Sequence, residues 1–177
     1  MIFTSTVNFI FGAGTVFVQI AVVFLAAAWL FSLTVPDSLR RWALHAAFAA
    51  AALSVLGGLI YSEIIGYAPC KLCWIQRIFM YPTALLLGMA LWGRHKGSPA
   101  LIDASFILTI IGGAVALYQY FLQLGVVPEG LCAALGSSVS CAERFVMEFG
   151  YITIPLMALS SFLLIILLLR LARQGAH

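Results

Sequence analysis

The chain has 177 residues, enough for one domain, and is 64% hydrophobic but only 8% charged, where soluble proteins carry roughly a quarter charged residues. A water-soluble core cannot hide so much apolar surface, so lipid must solvate most of it, and the expected class is an all-α integral membrane protein. The net charge of +3 contains no basic run of the kind that binds nucleic acid.

A membrane-crossing helix needs about 20 apolar residues, and five segments supply them. The first is Phe9–Leu33. No Lys or Arg precedes Arg40, and the apolar run from Ile2 to Val35 exceeds the roughly 7–15 residues of a signal-peptide core. Ala26-Ala27-Ala28 has the look of a cleavage site, but the segment reads as a retained helix. Pro36-Asp37-Ser38 ends it, with Asp37 or Ser38 placed to cap the second helix, Trp42–Ile65. The third is Leu72–Trp92, separated by Gly93 through Pro99 from the fourth, Leu101–Leu124; the fifth is Tyr151–Leu171.

Five helices have two sets of ends. One set carries Arg40, Arg41, Arg94, Lys96, Arg170 and Arg173, the other Lys71, Arg77 and Arg144. The positive-inside rule places the richer side in the cytoplasm, with the amino terminus outside and the carboxyl terminus inside. The same parity puts the loops 66–71 and 125–150, which contain Cys70, Cys132 and Cys141, outside, next to Cys73. Disulfides persist in such a compartment.

Two constellations carry chemistry. In Pro69-Cys70-Lys71-Leu72-Cys73-Trp74-Ile75-Gln76-Arg77, two cysteines separated by two residues suit thiol–disulfide exchange. Cys73 is expected at the start of the third helix, where the positive end of the dipole favours a thiolate. Arg77 lies one turn further on the same face and could hold that thiolate or the reduced oxygen of a bound quinone; Gln76 adds an amide. The alternatives are a four-cysteine zinc site, an Arg77 that only reaches for the interface, belt roles for Trp74 and Tyr81, and a kink at Pro82. The second constellation is Cys132 and Cys141, enclosing eight residues that include Gly136, Ser137 and Ser138. This predicts a flexible loop with an exposed disulfide open to another protein's thiolate, or else a structural staple. Ser140 and Glu143 have capping-box spacing, and the segment through Phe149 predicts a short helix on the membrane surface. Tyr118, Gln119 and Gln123 could line a quinone pocket or bond between helices; Glu63, His45 and Asp103 are assigned no chemistry.

Pro69-Cys70-x-x-Cys73-x-x-Gln76-Arg77 with Met80-Tyr81-Pro82, followed by Cys141-Ala142-Glu143-Arg144 and Ile154-Pro155, resembles the DsbB-type disulfide bond formation proteins, particularly the BdbC branch, from roughly Ala43 to the carboxyl end. The resemblance implies one membrane domain, 1–177, with a four-helix bundle over 42–171 and an extra first helix, 9–33. It implies a quinone, ubiquinone or menaquinone, beside the first pair, with Arg77, Gln76 and Gln119 as candidate binding residues. It also implies roles. Cys132 is attacked by a thioredoxin-fold extracytoplasmic thiol oxidase, Cys141 exchanges with Cys70, and Cys73 contacts the quinone. Some relatives have an acidic residue in place of Gln76 and a histidine near Gln119. The expected protein is a monomeric thiol:quinone oxidoreductase of a bacterial or archaeal plasma membrane. A vitamin K epoxide reductase-like enzyme has its loop pair before the Cys-x-x-Cys, not after it. A four-cysteine metal protein and a small transporter are the other classes considered.

Overall fold

The computed structural model describes residues 2–33, 35–92, 95–128, 130, 132 and 140–174. Five helices are long and apolar enough to cross a membrane. They are α1 (Ile2–Leu30), α2 (Asp37–Leu59, continued by a π-helical turn over Ile60–Ile64), α3 (Lys71–Leu91), α4 (Pro99–Gln123) and α5 (Ile154–Gln174). The all-helical membrane bundle expected from composition is what forms.

The helix bounds differ from expectation for local reasons. α1 begins seven residues before Phe9, because polar side chains near its start fold back on the helix; Thr6 Oγ1 donates to the Ile2 carbonyl at 3.0 Å. Neither Asp37 nor Ser38 caps α2. The cap is Pro36, without a side-chain bond, and Asp37 sits within the first turn, where its carboxylate meets the positive end of the dipole. α5 starts at Ile154, not Tyr151, because Phe149 and Gly150 take positive φ (52° and 78°) in a tight turn closed by a bridge between Glu148 and Ile152.

Helices α2, α3, α4 and α5 close into a ring, α5 returning to α2, and α1 lies outside it, packed chiefly on α5. Apolar attraction cannot hold helices together in lipid, so close backbone approach must do so. Ala43, Ala47 and Ala51, fully buried at a four-residue spacing, give α2 a smooth stripe against its neighbours. Gly112 and Gly113 of α4 receive the ring of Phe162 from α5. Phe17, Leu53, Ile78, Leu85 and Ile107 point outward, as lipid-facing residues should. Arg40, Arg41, Lys96, Arg170 and Arg173 lie at the end opposite the cysteines, where Arg173 pairs with Asp103; Arg94 is outside the described residues.

At Gly112 an added Cβ would stand 2.5 Å from Phe162 Cζ and 3.0 Å from Phe79 Cβ, and Phe162 is fully buried with nowhere to swing. Gly112→Ala should therefore destabilise by about 1–3 kcal/mol through overpacking. Thermal unfolding of the detergent-solubilised protein should show a clearly lowered midpoint. Gly14→Ala, where nothing lies within 4 Å, should leave it unchanged.

Candidate functional site

The Cys70–Cys73 pair straddles the start of α3. Cys70 is the N-cap residue, in extended backbone, and Cys73 lies inside the first turn. Cys73 stands at the helix start as expected, and the helix terminus acts on Cys70 as well. The two sulfurs are 3.1 Å apart, both free thiols. Cys73 as donor to Cys70 is the main influence lowering the Cys70 thiol from its usual 9 to about 6; burial opposes this, and the N–H groups of Leu72 and Cys73 and the Gln119 amide assist. A thiol so lowered is largely thiolate at neutral pH.

Gln119 of α4 reaches across to both sulfurs. Its Nε2 lies 3.2 Å from Cys70 Sγ and 3.4 Å from Cys73 Sγ, and its Oε1 accepts from Gln76 Nε2 at 2.6 Å. The two glutamines, both buried, form one amide chain ending on the cysteines. Arg77 donates through Nη2 to the Gly58 carbonyl at 2.8 Å and stacks its guanidinium 5.2 Å from the Trp74 ring centroid. The same carbonyl accepts from Ser62 Oγ at 3.1 Å. Gly58 lies two residues before the π-helical turn, where the backbone ladder changes register.

Cys132 and Cys141 are joined in a disulfide. Contrary to expectation it is not exposed: each cysteine is 1% accessible. Both pack with Cys70, Leu72 and Leu122 in one small apolar cluster, to which Cys73 and Tyr118 are added. The pairs thus share a core at one end of the ring. Gly136, Ser137 and Ser138, read as a flexible loop, lie outside the described residues. No surface helix follows Cys141. Residues 141–153 run as turns, with Ala142 N–H donating to Ser140 Oγ at 3.2 Å. Val146 and Ile152 turn inward, 2% and 0% exposed, so the apolar side chains serve the protein core and not lipid. Gln123 Nε2 donates to the Glu143 carbonyl at 3.0 Å and Arg144 to the Gln123 carbonyl, tying this segment to α4.

Beside the redox pair lies a cavity of about 410 Å³, within the roughly 300–1,000 Å³ of small-molecule sites. Cys73, Gln76 and Arg77 line one wall, and Tyr61, Met80 and Phe162 others. Arg77 is the single charged residue among those described there. The lining hydroxyls of Thr15, Ser54, Ser62 and Ser161 donate to carbonyls of their own helices, so the walls are apolar in effect. Tyr118, Gln119 and Gln123 do not line it; Gln119 faces the sulfurs and Tyr118 reaches the Pro128 carbonyl. Glu63 stays exposed on Ser62. Tyr61, Phe145 and Phe11 were not expected here; the Gly57-Gly58 pair ahead of Tyr61 was the available signal.

The profile described as "Disulfide bond formation protein DsbB" matches residues 40–172. The chain belongs to the DsbB family. It is similar to "Disulfide bond formation protein C" of Bacillus subtilis, 36% identical over 130 residues, covering 73% of this chain and 91% of the relative. It is also similar to "Probable disulfide formation protein C 1" of Bacillus anthracis, at 38% over 126 residues (71% and 88%). "Probable disulfide formation protein" of Oceanobacillus iheyensis is 39% identical over 125 residues (70% and 84%). No solved structure matches the chain. As a DsbB-family protein it is a multi-pass membrane thiol oxidoreductase of disulfide formation. All four cysteines, Gln76, Arg77 and Gln119 fall inside the family match, and α1 falls outside it.

The Cys70 thiolate should be present above pH about 6 and lost as pH falls below it. Cys73→Ala removes the first influence, so the titration should move up toward the ordinary thiol range, and Gln119→Leu should move it up by less. Thiolate absorbance against pH, or the pH profile of iodoacetamide labelling of the reduced protein, measures both. Superimposable titrations for the three proteins would contradict the assignment.

Proposed function

We propose that the protein is a thiol:quinone oxidoreductase that reoxidises a thioredoxin-fold thiol oxidase outside the cytoplasm. The observation that carries this is the position of Cys73: it packs with the cluster holding the loop disulfide and also lines an apolar cavity whose one charged residue is Arg77. A planar acceptor with apolar faces and two carbonyl oxygens fits such a site. Arg77 keeps further N–H donors beyond the one given to Gly58, and Gln76 stands beside it.

The electrons balance as follows in this reading. A thiolate of the partner attacks Cys132, displacing Cys141 and forming a mixed disulfide. The partner's second thiol closes the partner's disulfide and leaves Cys132 and Cys141 as a dithiol. Cys141 attacks Cys70 of an oxidised Cys70–Cys73 bond, Cys132 closes on Cys141, and Cys70 and Cys73 hold two electrons and their protons. A bound quinone supplies the two-electron, two-proton acceptor that returns this pair to the disulfide. The bonding in the structure, loop pair closed and inner pair reduced, corresponds to the stage before the electrons leave. Because Cys132 and Cys141 are buried, partner attack requires that end of the bundle to open locally. The lysine and arginine distribution, richer opposite the cysteines, supports an extracytoplasmic active end.

In Cys141→Ser, Cys132 is a lone thiol, so on mixing with the oxidised partner it should open the partner's disulfide, with the partner's second sulfur leaving as a thiol, and stay joined to it as a mixed disulfide visible on a non-reducing gel, since no Cys141 thiol remains to release it; trapping on Cys70 would overturn the assigned order. Arg77→Ala should raise KM for a short-chain ubiquinone or menaquinone analogue by about tenfold or more, the effect of one charge-assisted hydrogen bond. No quinone-dependent turnover by the unaltered protein would sink the reading.

A further inference from the structure

The first helix lies outside the family match, yet one face of it lines the cavity beside Cys73. Phe11, Gly14, Thr15 and Val18, at helical spacing, stand opposite Arg77 and Gln76. The docking of α1 is specific. Tyr151 donates its hydroxyl to Gln19 Oε1 at 2.9 Å, and Gln19 Nε2 reaches Ser160 Oγ at 3.4 Å. At Gly12 an added Cβ would stand 3.0 Å from Glu148 Cβ, and at Gly57 one would stand 2.9 Å from the Phe11 ring. A side chain at Gly57 would force Phe11 to shift, and one at Gly12 would press on Glu148.

Phe11 also bears on Tyr61. Their ring centroids are 5.4 Å apart, and Tyr61 continues into a stack with Tyr67 at 6.0 Å and from there to Phe145 at 5.1 Å. An aromatic series thus runs from α1 to the segment after the loop disulfide. Tyr61 is 5% exposed, lines the cavity, and its hydroxyl has no hydrogen-bond partner among the described residues. Leaving a buried hydroxyl without a partner is unfavourable, so one is expected from a bound molecule. A π-helical turn positions it, a feature common at functional sites.

We propose that α1 forms the far wall of the electron-acceptor site, and that Tyr61, held by Phe11, is a further acceptor-binding residue that donates its O–H to an acceptor oxygen. This rests on the quinone reading above. Selection among acceptors then belongs partly to a helix outside the family match.

The test uses the full chain in detergent. Gly14→Phe projects a ring from the cavity wall where nothing lies within 4 Å of the new Cβ; Val18→Phe is a second filler should the first fail to fold. Tyr61→Phe keeps the ring stack and removes the hydroxyl. Kd for decylubiquinone and for a short-chain menaquinone is read by equilibrium dialysis, with mixed-disulfide trapping in a Cys141→Ser background as a readout of the loop pair. The fillers should raise Kd at least tenfold and Tyr61→Phe severalfold, with trapping unchanged. If Arg77→Ala weakens binding while both fillers and Tyr61→Phe bind normally, the role of α1 and Tyr61 is overturned and the quinone reading stands. If Tyr61→Phe alone binds normally, the hydroxyl is not a donor and that part of the proposal falls. If the unaltered protein binds neither analogue, the quinone reading itself falls.

Discussion

The packing of two cysteine pairs into one apolar cluster is the constraint on which the active end depends. Cys70 and Cys132 are 62 positions apart in sequence (132 minus 70), and thiol exchange between pairs needs sulfurs brought together. The ring of α2 to α5 brings α3 and α4 side by side, Leu72 and Leu122 fill the space between them, and the disulfide of the following segment settles onto that surface. Gln119 then fixes the inner sulfurs from α4 while Gln76 fixes Gln119 from α3. Each side chain is ordinary; their convergence requires the helix pair.

Much of this was legible in the chain. The five spans follow from hydropathy alone, since lipid leaves helices few alternatives, while helix ends moved by one to seven residues, among them the starts near Thr6, Pro36 and Phe149 where short-range bonding intervened. The cysteine pairs and Arg77 were readable because their spacing to one another is local. What could not be read depends on tertiary packing. The spacing of Cys132 and Cys141 suggests an exposed loop, but it says nothing of Leu72 and Leu122 waiting to cover it. The charged and apolar mixture after Cys141 matches an amphipathic helix, yet Val146 and Ile152 found an interior to enter. Tyr61 looks like one more interfacial tyrosine until the π-helical turn and Phe11 give it a fixed place.

A helix start one residue earlier than Leu72 decides which cysteine holds the cap. With α3 starting at Lys71, the cap position falls on Cys70 and the donor position on Cys73. Cys70 is then a buried member of the loop disulfide's cluster, and Cys73, packed against that cluster and 3.1 Å from the Cys70 sulfur, also lines the cavity.

The burial of Cys132 and Cys141 has a consequence for fidelity. A membrane oxidant sits among many small thiols, any of which could discharge it without forming a useful disulfide. A sulfur closed off from water is a poor target for a freely diffusing thiolate, whatever the driving force. On the proposed function the bond is insulated, as a conductor is, and current enters only where a contact of the right shape parts the covering. Discrimination between a proper donor and a stray one is then a matter of access, settled before any electron moves.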